Sequence, residues 1–164
     1  MCLMWRNVFV RSITPSFLTK MSRRCMITSL QQKKKILEKL TRLQAQLDAP
    51  TKPGVPEILA TMSSAQIEDA ISLLRADVYA YDAACEANLD RLEFDSYEEL
   101  YKLPIVIRLA SNLTLEDFSK ATGISESQIK LYESNDYQNA PSHIFSTILK
   151  VFNIQLNGYA HRSM

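Results

Sequence analysis

The stretch from Leu113 to Asn135 constrains the fold most, because it predicts two short helices joined by a glycine turn. Thr114 is a residue type that caps helix N-termini, and Asp117 three positions later completes a pattern like a capping box. Gly123 lies where the chain must leave the first helix in a left-handed conformation, which glycine adopts without steric cost. Ser125 then caps the second helix. We expect four side chains to point inward between these helices: Phe118, Ile124, Ile129 and Tyr132.

This pattern resembles the helix-turn-helix of the Xre and lambdoid phage-repressor family. The matching features include the small Ser119 four positions before Gly123 and the apolar Ile129 six positions after it. The subgroup resembled has a long helical N-terminal region and a Tyr-Glu-x-x-Asp-Tyr segment, which is Tyr132–Tyr137 in this chain. The resemblance covers roughly residues 103–154. It implies a repressor-like DNA-binding domain of four to five helices.

The flanking segments extend the resemblance in both directions. Arg108–Thr114 resembles the end of the first helix of the family, with Asn112 where a glycine often stands. Pro141–Ile154 resembles the fourth helix and the turn that follows it. No strand pattern competes, so the predicted fold class is all-α. We place the helix-turn-helix domain at residues 95–157 and a short tail at residues 158–164.

Upstream, residues 29–94 predict a helical hairpin of coiled-coil-like character. Ser29–Asp48 has an apolar stripe, and the proline-rich residues 49–56 form a connector. A second helix is predicted from Ser63, with a heptad stripe that runs from Ile67 to Leu92 through Asn88. Because this stripe outruns the first helix, we expect the hairpin to form a homodimer. The lysine run at positions 33–35 is interpreted as a solvated helix face.

Residues 1–28 are interpreted as a basic, disordered extension. The first 25 residues carry five basic residues and no acidic one. Such a segment is compatible with an organelle transit peptide, a DNA-contacting arm or a membrane-surface helix. We favour a simpler hypothesis, in which this segment is upstream sequence and translation starts at Met21 or Met26, because the helical pattern begins only after Met26.

The resemblance implies that the second helix of the motif reads double-stranded DNA. Lys130 can donate to guanine or bind a phosphate, whereas Glu126 repels phosphates. Leu115 stands where the family usually has a glutamine that braces a backbone phosphate, and the chain from residue 97 onward has seven acidic and six basic residues. We therefore expect weak binding by a monomer. The predicted DNA-binding residues are Thr114, Ser125, Glu126, Ser127, Gln128, Lys130, Leu131, Ser134, Asn135, Tyr137, Gln138 and Asn139.

Catalysis has little support in the sequence. The two histidines, His143 and His161, have no serine or cysteine partner suggested by spacing, and three scattered cysteines fit neither a zinc site nor a disulfide framework. We predict a cytoplasmic protein that is not an enzyme, uses no cofactor or metal and has no membrane partner. The function predicted is a sequence-specific transcriptional regulator, in the form of a dimeric repressor. The alternatives are an antitoxin that binds a cognate toxin, and a protein-interaction module whose DNA face has decayed.

Overall fold

The computed structural model describes residues 26–50, 53–94 and 96–157 of the chain, and these ranges contain seven α-helices and no strand. The predicted all-α fold class is confirmed. The helices are α1 (Leu30–Asp48), α2 (Glu57–Cys85), α3 (Tyr97–Tyr101), α4 (Leu103–Ala110), α5 (Leu115–Thr122), α6 (Glu126–Glu133) and α7 (Ser142–Val151).

Helices α1 and α2 pack against each other as a hairpin. The Ser29 side chain caps α1 by accepting a hydrogen bond from the Gln32 amide, which confirms where the first helix begins. No residue of α1 is buried, so this helix packs on α2 through side chains that stay partly exposed. Lys33 pairs with Asp82 and lies over the Tyr81 ring, which joins the start of α1 to the end of α2.

The predicted start of the second helix at Ser63 is wrong, because α2 begins six residues earlier at Glu57. Pro56 precedes it with a φ of −56°, and a proline fixes the backbone near the angle that helix entry requires. The predicted end near Leu92 is also wrong, since α2 stops at Cys85. Asn88 therefore lies beyond the helix, where its side chain accepts a hydrogen bond from the Asp90 amide.

The end of α2 shares one hydrophobic core with the C-terminal helices. Tyr81 and Ala84 pack among buried residues of α4, including Leu103 and Ile105, and α2 contacts α4 along this seam. Burial of such side chains stabilises the fold by about 25 cal/mol for each Å² of apolar surface removed from water. The hairpin therefore packs on the helix-turn-helix region through a continuous core.

A short amino-terminal strap, residues 26–29, packs onto this core before α1 begins. Ile27 is 4% exposed, and the Met26 amide donates to the Asp136 carboxylate at 2.8 Å. The predicted disordered extension to residue 28 is thus wrong for its last three residues, because a buried isoleucine and a long-range hydrogen bond hold them. Residues 1–25 and the tail beyond residue 157 lie outside the described residues, and so do the predictions made for them.

Helices α3 and α4 lead into the C-terminal region. Ser96 caps α3 by accepting a hydrogen bond from the Glu99 amide. Pro104 is the second residue of α4, in the first turn, where the missing N–H of a proline breaks no intrahelical hydrogen bond. Among the helices in the described ranges, none is long and apolar enough to cross a membrane.

Candidate nucleic-acid interface

The turn between α5 and α6 has the local geometry that its sequence predicts. The Thr114 hydroxyl caps α5 by accepting from the Asp117 amide at 3.1 Å. Gly123 ends that helix with φ at +72°, in the left-handed region where only glycine avoids a Cβ penalty. The Ser125 hydroxyl then accepts from the Gln128 amide at 3.4 Å and begins α6. These caps fix both ends of the turn and therefore the direction in which α6 leaves it.

The inner faces of the two helices form the expected core. Phe118 and Ile129 are fully buried, and Ile124 and Tyr132 are nearly so, which confirms all four inward predictions. The Ser119 hydroxyl donates to the Ile124 carbonyl at 2.6 Å across the turn. A small side chain at this position therefore both permits close approach of the helices and ties the turn to α5.

The outer face of α6 is open to solvent at most of the predicted positions. Ser127, Gln128, Lys130 and Leu131 are exposed, and Leu131 keeps 56% of its surface. Glu126 is half-buried, and its carboxylate lies 3.5 Å from the Lys130 ammonium group. An exposed ion pair one helical turn apart contributes well under about 1 kcal/mol, so Lys130 can leave it for a stronger anion.

The loop after α6 separates the remaining predicted residues into two groups. Ser134, Asn135, Gln138 and Asn139 are exposed, whereas Tyr137 is 1% exposed. Tyr137 has a φ of +58°, and its hydroxyl has no hydrogen-bond partner among the described residues. Burial raises the pKa of this phenol far above its ordinary value. Its side chain therefore lies in the core, and only its backbone could face a phosphate.

Sequence reasoning missed a buried ion pair that supports α6 from behind. The Arg108 guanidinium donates to the Glu133 carboxylate through Nε at 2.6 Å and through Nη2 at 2.9 Å. It also donates to the carbonyls of Thr28 at 2.8 Å and Leu113 at 3.3 Å. Burial raises the pKa of the Glu133 carboxyl, and the guanidinium opposes that shift. The only available sequence signal was an arginine among the apolar residues of α4.

A second buried acid, Asp136, holds the amino-terminal strap. It is 5% exposed and accepts from the Met26 amide. Burial raises the pKa of its carboxyl, because desolvation outweighs that hydrogen bond and the charge of Lys102. Its φ of +48° lies in the left-handed region, which aspartate and asparagine tolerate better than most residues. The loop after α6 thus anchors the residues that precede α1.

An open groove of about 980 Å³ runs between the strap, α1 and the helix-turn-helix. Its lining brings together residues that the sequence separates widely, namely Lys35, Thr114, Leu115, Lys130 and Ser134. Three predicted DNA-binding positions, Thr114, Lys130 and Ser134, therefore border the same groove as a lysine of α1. In the described part of the chain, no cluster of three or more histidine, cysteine or acidic residues could hold a metal ion.

Comparison with known proteins identifies this region. Residues 106–158 match a family model described as helix-turn-helix. Neither the curated proteins nor the solved structures contain a significant match to the chain. The matched segment covers α4 from Val106 onward, both helices of the motif and α7, and it agrees with the caps and core described above. Residues 106–158 therefore form a helix-turn-helix domain of the Xre and lambda-repressor-like family, a family of DNA-binding regulators.

Proposed function

We propose that this chain is a sequence-specific transcriptional repressor that binds operator DNA as a homodimer and acts by occupying a promoter. The observation that carries the proposal is the exposed outer face of α6, which begins at a well-capped turn and presents Ser127, Gln128, Lys130 and Leu131. A helix held in this way can enter the major groove with its first residues at base edges. Hydroxyl, amide and ammonium groups are suited to hydrogen bonds there, and Leu131 is suited to a thymine methyl group.

The remaining predicted positions have subordinate roles in this proposal. Thr114 and Ser125 are engaged as caps, so their contribution is to position backbone amides beside the phosphates. The exposed Asn135, Gln138 and Asn139 lie just beyond α6, where amide side chains can donate to phosphate oxygens. Glu126 would favour a cytosine amino group and disfavour phosphate. These contacts orient the domain, while α6 carries the specificity.

The dimer is proposed to form through an apolar tip of the hairpin. The tip consists of Val55, Ile58, Leu59 and Met62, which are between 42% and 71% exposed. Ile58 and Met62 are four residues apart and thus lie on one face of α2. A second copy of this chain is the proposed occupant, because a symmetric contact would cover the apolar tips of both copies and join two recognition helices in one molecule that can occupy two half-sites. Two half-sites would offset the weak binding expected of a domain with little net positive charge.

The DNA proposal is tested by selection of bound sequences from a random duplex library, followed by affinity measurements on the selected site. Lys130→Ala should weaken binding by about 1–3 kcal/mol, or roughly fivefold to 150-fold, if Lys130 contacts a base. Lys150→Ala is the matched control, because Lys150 is an exposed lysine at the end of α7 and should leave affinity unchanged. Selection of no sequence by the wild-type protein would contradict sequence-specific binding.

The dimer is tested separately by sedimentation equilibrium. Ile58→Asp should convert the dimer into a folded monomer, whereas Gln66→Asp, an exposed position two turns further along α2, should not. If the wild-type protein is itself monomeric, the dimer proposal fails and the tip is free for a different protein, as the antitoxin alternative requires. If Ile58→Asp remains dimeric, a different surface joins the two copies.

A further inference from the structure

Helix α1 carries a surplus of positive charge that the helix-turn-helix domain lacks. Its five basic residues, Lys33, Lys34, Lys35, Lys39 and Arg42, outnumber its two acidic residues. In contrast, residues 97–157 contain two more acidic than basic residues. The carboxyl-terminal domain therefore has little charge of its own with which to attract a phosphate backbone, and any compensating charge must come from outside it.

The basic side chains near the motif are also already paired. Arg108 is buried against Glu133, Lys120 lies 2.6 Å from Glu116, and Lys130 lies beside Glu126. By comparison, Lys35 is exposed and forms no ion pair with any described residue. It can therefore approach an anion without first giving up a carboxylate.

The groove places this lysine beside the proposed DNA-reading helix. Lys35 lines the same groove as Lys130 and Ser134 of the α6 region and as Thr114 at the start of α5. The major groove of B-DNA is ~12 Å wide, so a helix inside it has a phosphate backbone close on each side. A long cationic side chain across a groove from α6 is positioned to meet the backbone on that side.

Buried contacts fix the start of α1 relative to α6. Arg108 donates at once to the Thr28 carbonyl and to the Glu133 carboxylate, so one guanidinium links the strap to the last turn of α6. Met26 is held by Asp136 in the loop that follows. Because α1 begins immediately after this strap, its first two turns are held in place beside the recognition helix and need no ordering when DNA binds.

We propose that Lys35 of α1 forms a second DNA-contacting site that binds the phosphate backbone flanking the groove occupied by α6. This inference rests on the proposed function. Lys34 is adjacent in sequence but lies about 100° around the helix from Lys35, and it does not line the groove. The proposal therefore distinguishes two neighbouring exposed lysines by their direction alone.

The test measures the salt dependence of binding to a mixed-sequence duplex of about 30 base pairs, roughly three helical turns. Log affinity falls as log salt rises, and Lys35→Ala should make this slope less steep by about 0.9. That change corresponds to about eightfold weaker binding at 0.1 M salt. Lys35→Met should behave in the same way because it keeps the aliphatic stem and removes only the charge. Lys34→Ala should retain the wild-type slope, and urea unfolding should show that all three variants are folded.

The outcomes separate the two proposals. If the wild-type protein binds and Lys35→Met keeps the wild-type slope, the second site is overturned while the DNA-binding function stands. An equal decrease in the steepness of the slope for Lys34→Ala and Lys35→Ala would also overturn the second site, since it would indicate diffuse attraction of DNA to the whole of α1. If the wild-type protein does not bind the duplex even at about 50 mM salt, where phosphate contacts are strongest, the proposed function fails and the inference falls with it.

Discussion

Arg108 and Glu133 form a two-point ion pair that joins α4 to the last residue of α6, and their side chains are 5% and 4% exposed. The guanidinium also donates to two backbone carbonyls, so four hydrogen bonds surround the buried charge. Removal of water from such a pair is costly, and loss of one partner leaves an uncompensated charge in the core. The pair therefore acts as a fixed support for the recognition helix.

Replacement of one partner should be far more damaging than replacement of both. We expect Arg108→Met to lower the free energy of unfolding by about 3–5 kcal/mol, because Glu133 would stay buried without its counter-charge. The double variant Arg108→Met, Glu133→Leu should recover much of that loss, since two apolar side chains need no partner. Urea unfolding measures both effects. Glu116→Ala, which breaks an exposed pair, should cost less than about 1 kcal/mol. A cost below this value for Arg108→Met would contradict the supporting role.

Tyr137→Phe should leave the free energy of unfolding unchanged or raise it by about 1–2 kcal/mol. The Tyr137 hydroxyl is buried and has no hydrogen-bond partner among the described residues, and a buried unsatisfied polar group carries a desolvation cost. Thermal or urea unfolding measures the change. The same variant should bind DNA with wild-type affinity, because its side chain does not reach the surface. A tenfold loss of affinity would instead support the predicted phosphate contact by this side chain.

The free energy of unfolding of Asp136→Asn, relative to that of the wild type, should increase as the pH rises. Burial raises the folded-state pKa of Asp136 above the unfolded value of about 3.9, so the folded protein holds the proton more tightly. The stability that this proton contributes is present below the unfolded pKa and is lost as the pH rises through the folded pKa. Asparagine does not titrate, can still accept from the Met26 amide and tolerates a positive φ.

The comparison requires urea unfolding of both proteins at about pH 3.5 and at neutral pH, on either side of the unfolded carboxyl pKa. We expect the free energy of unfolding of Asp136→Asn, relative to the wild type, to increase between these two values. Asp69→Asn, at an exposed carboxylate of α2, is the control. A constant difference for Asp136→Asn across this range would show that the Asp136 pKa is not raised in the folded protein.

Features determined by neighbouring residues could be predicted from the sequence. The caps at Thr114 and Ser125 and the left-handed Gly123 depend on backbone groups within four positions, so residue type and spacing suffice. The start of α2 could not be predicted in this way. The helix was predicted from Ser63, but Pro56 also permits helix entry, and the helix extends to this earlier position.

Features that join distant segments could not be predicted. Arg108 and Glu133 are 25 positions apart, and the contact from Met26 to Asp136 spans 110 positions. Tyr137 was predicted to bind DNA, yet its side chain is buried and its φ is positive, and nothing in its neighbours reveals that conformation. The position of Lys35 beside α6 depends on the same long-range packing, so its sequence context indicated only a solvated helix face.

Leu115→Gln should strengthen DNA binding. Leu115 is the first residue of α5, lines the groove beside Lys130 and packs partly against the core. It stands where the resembled family usually carries a glutamine that braces a phosphate. One hydrogen bond to a charged oxygen is worth about 1.5–3 kcal/mol, so the variant should bind a duplex roughly tenfold to a hundredfold more tightly.

Leu115→Ala is the control, because it removes the same apolar side chain without adding a donor. Filter binding or fluorescence anisotropy at one fixed salt concentration can compare the three proteins, since affinities at different ionic strengths are not comparable. Equal affinities for the glutamine and alanine variants would show that no phosphate comes within reach of this position, and that the duplex approaches α6 from a different direction.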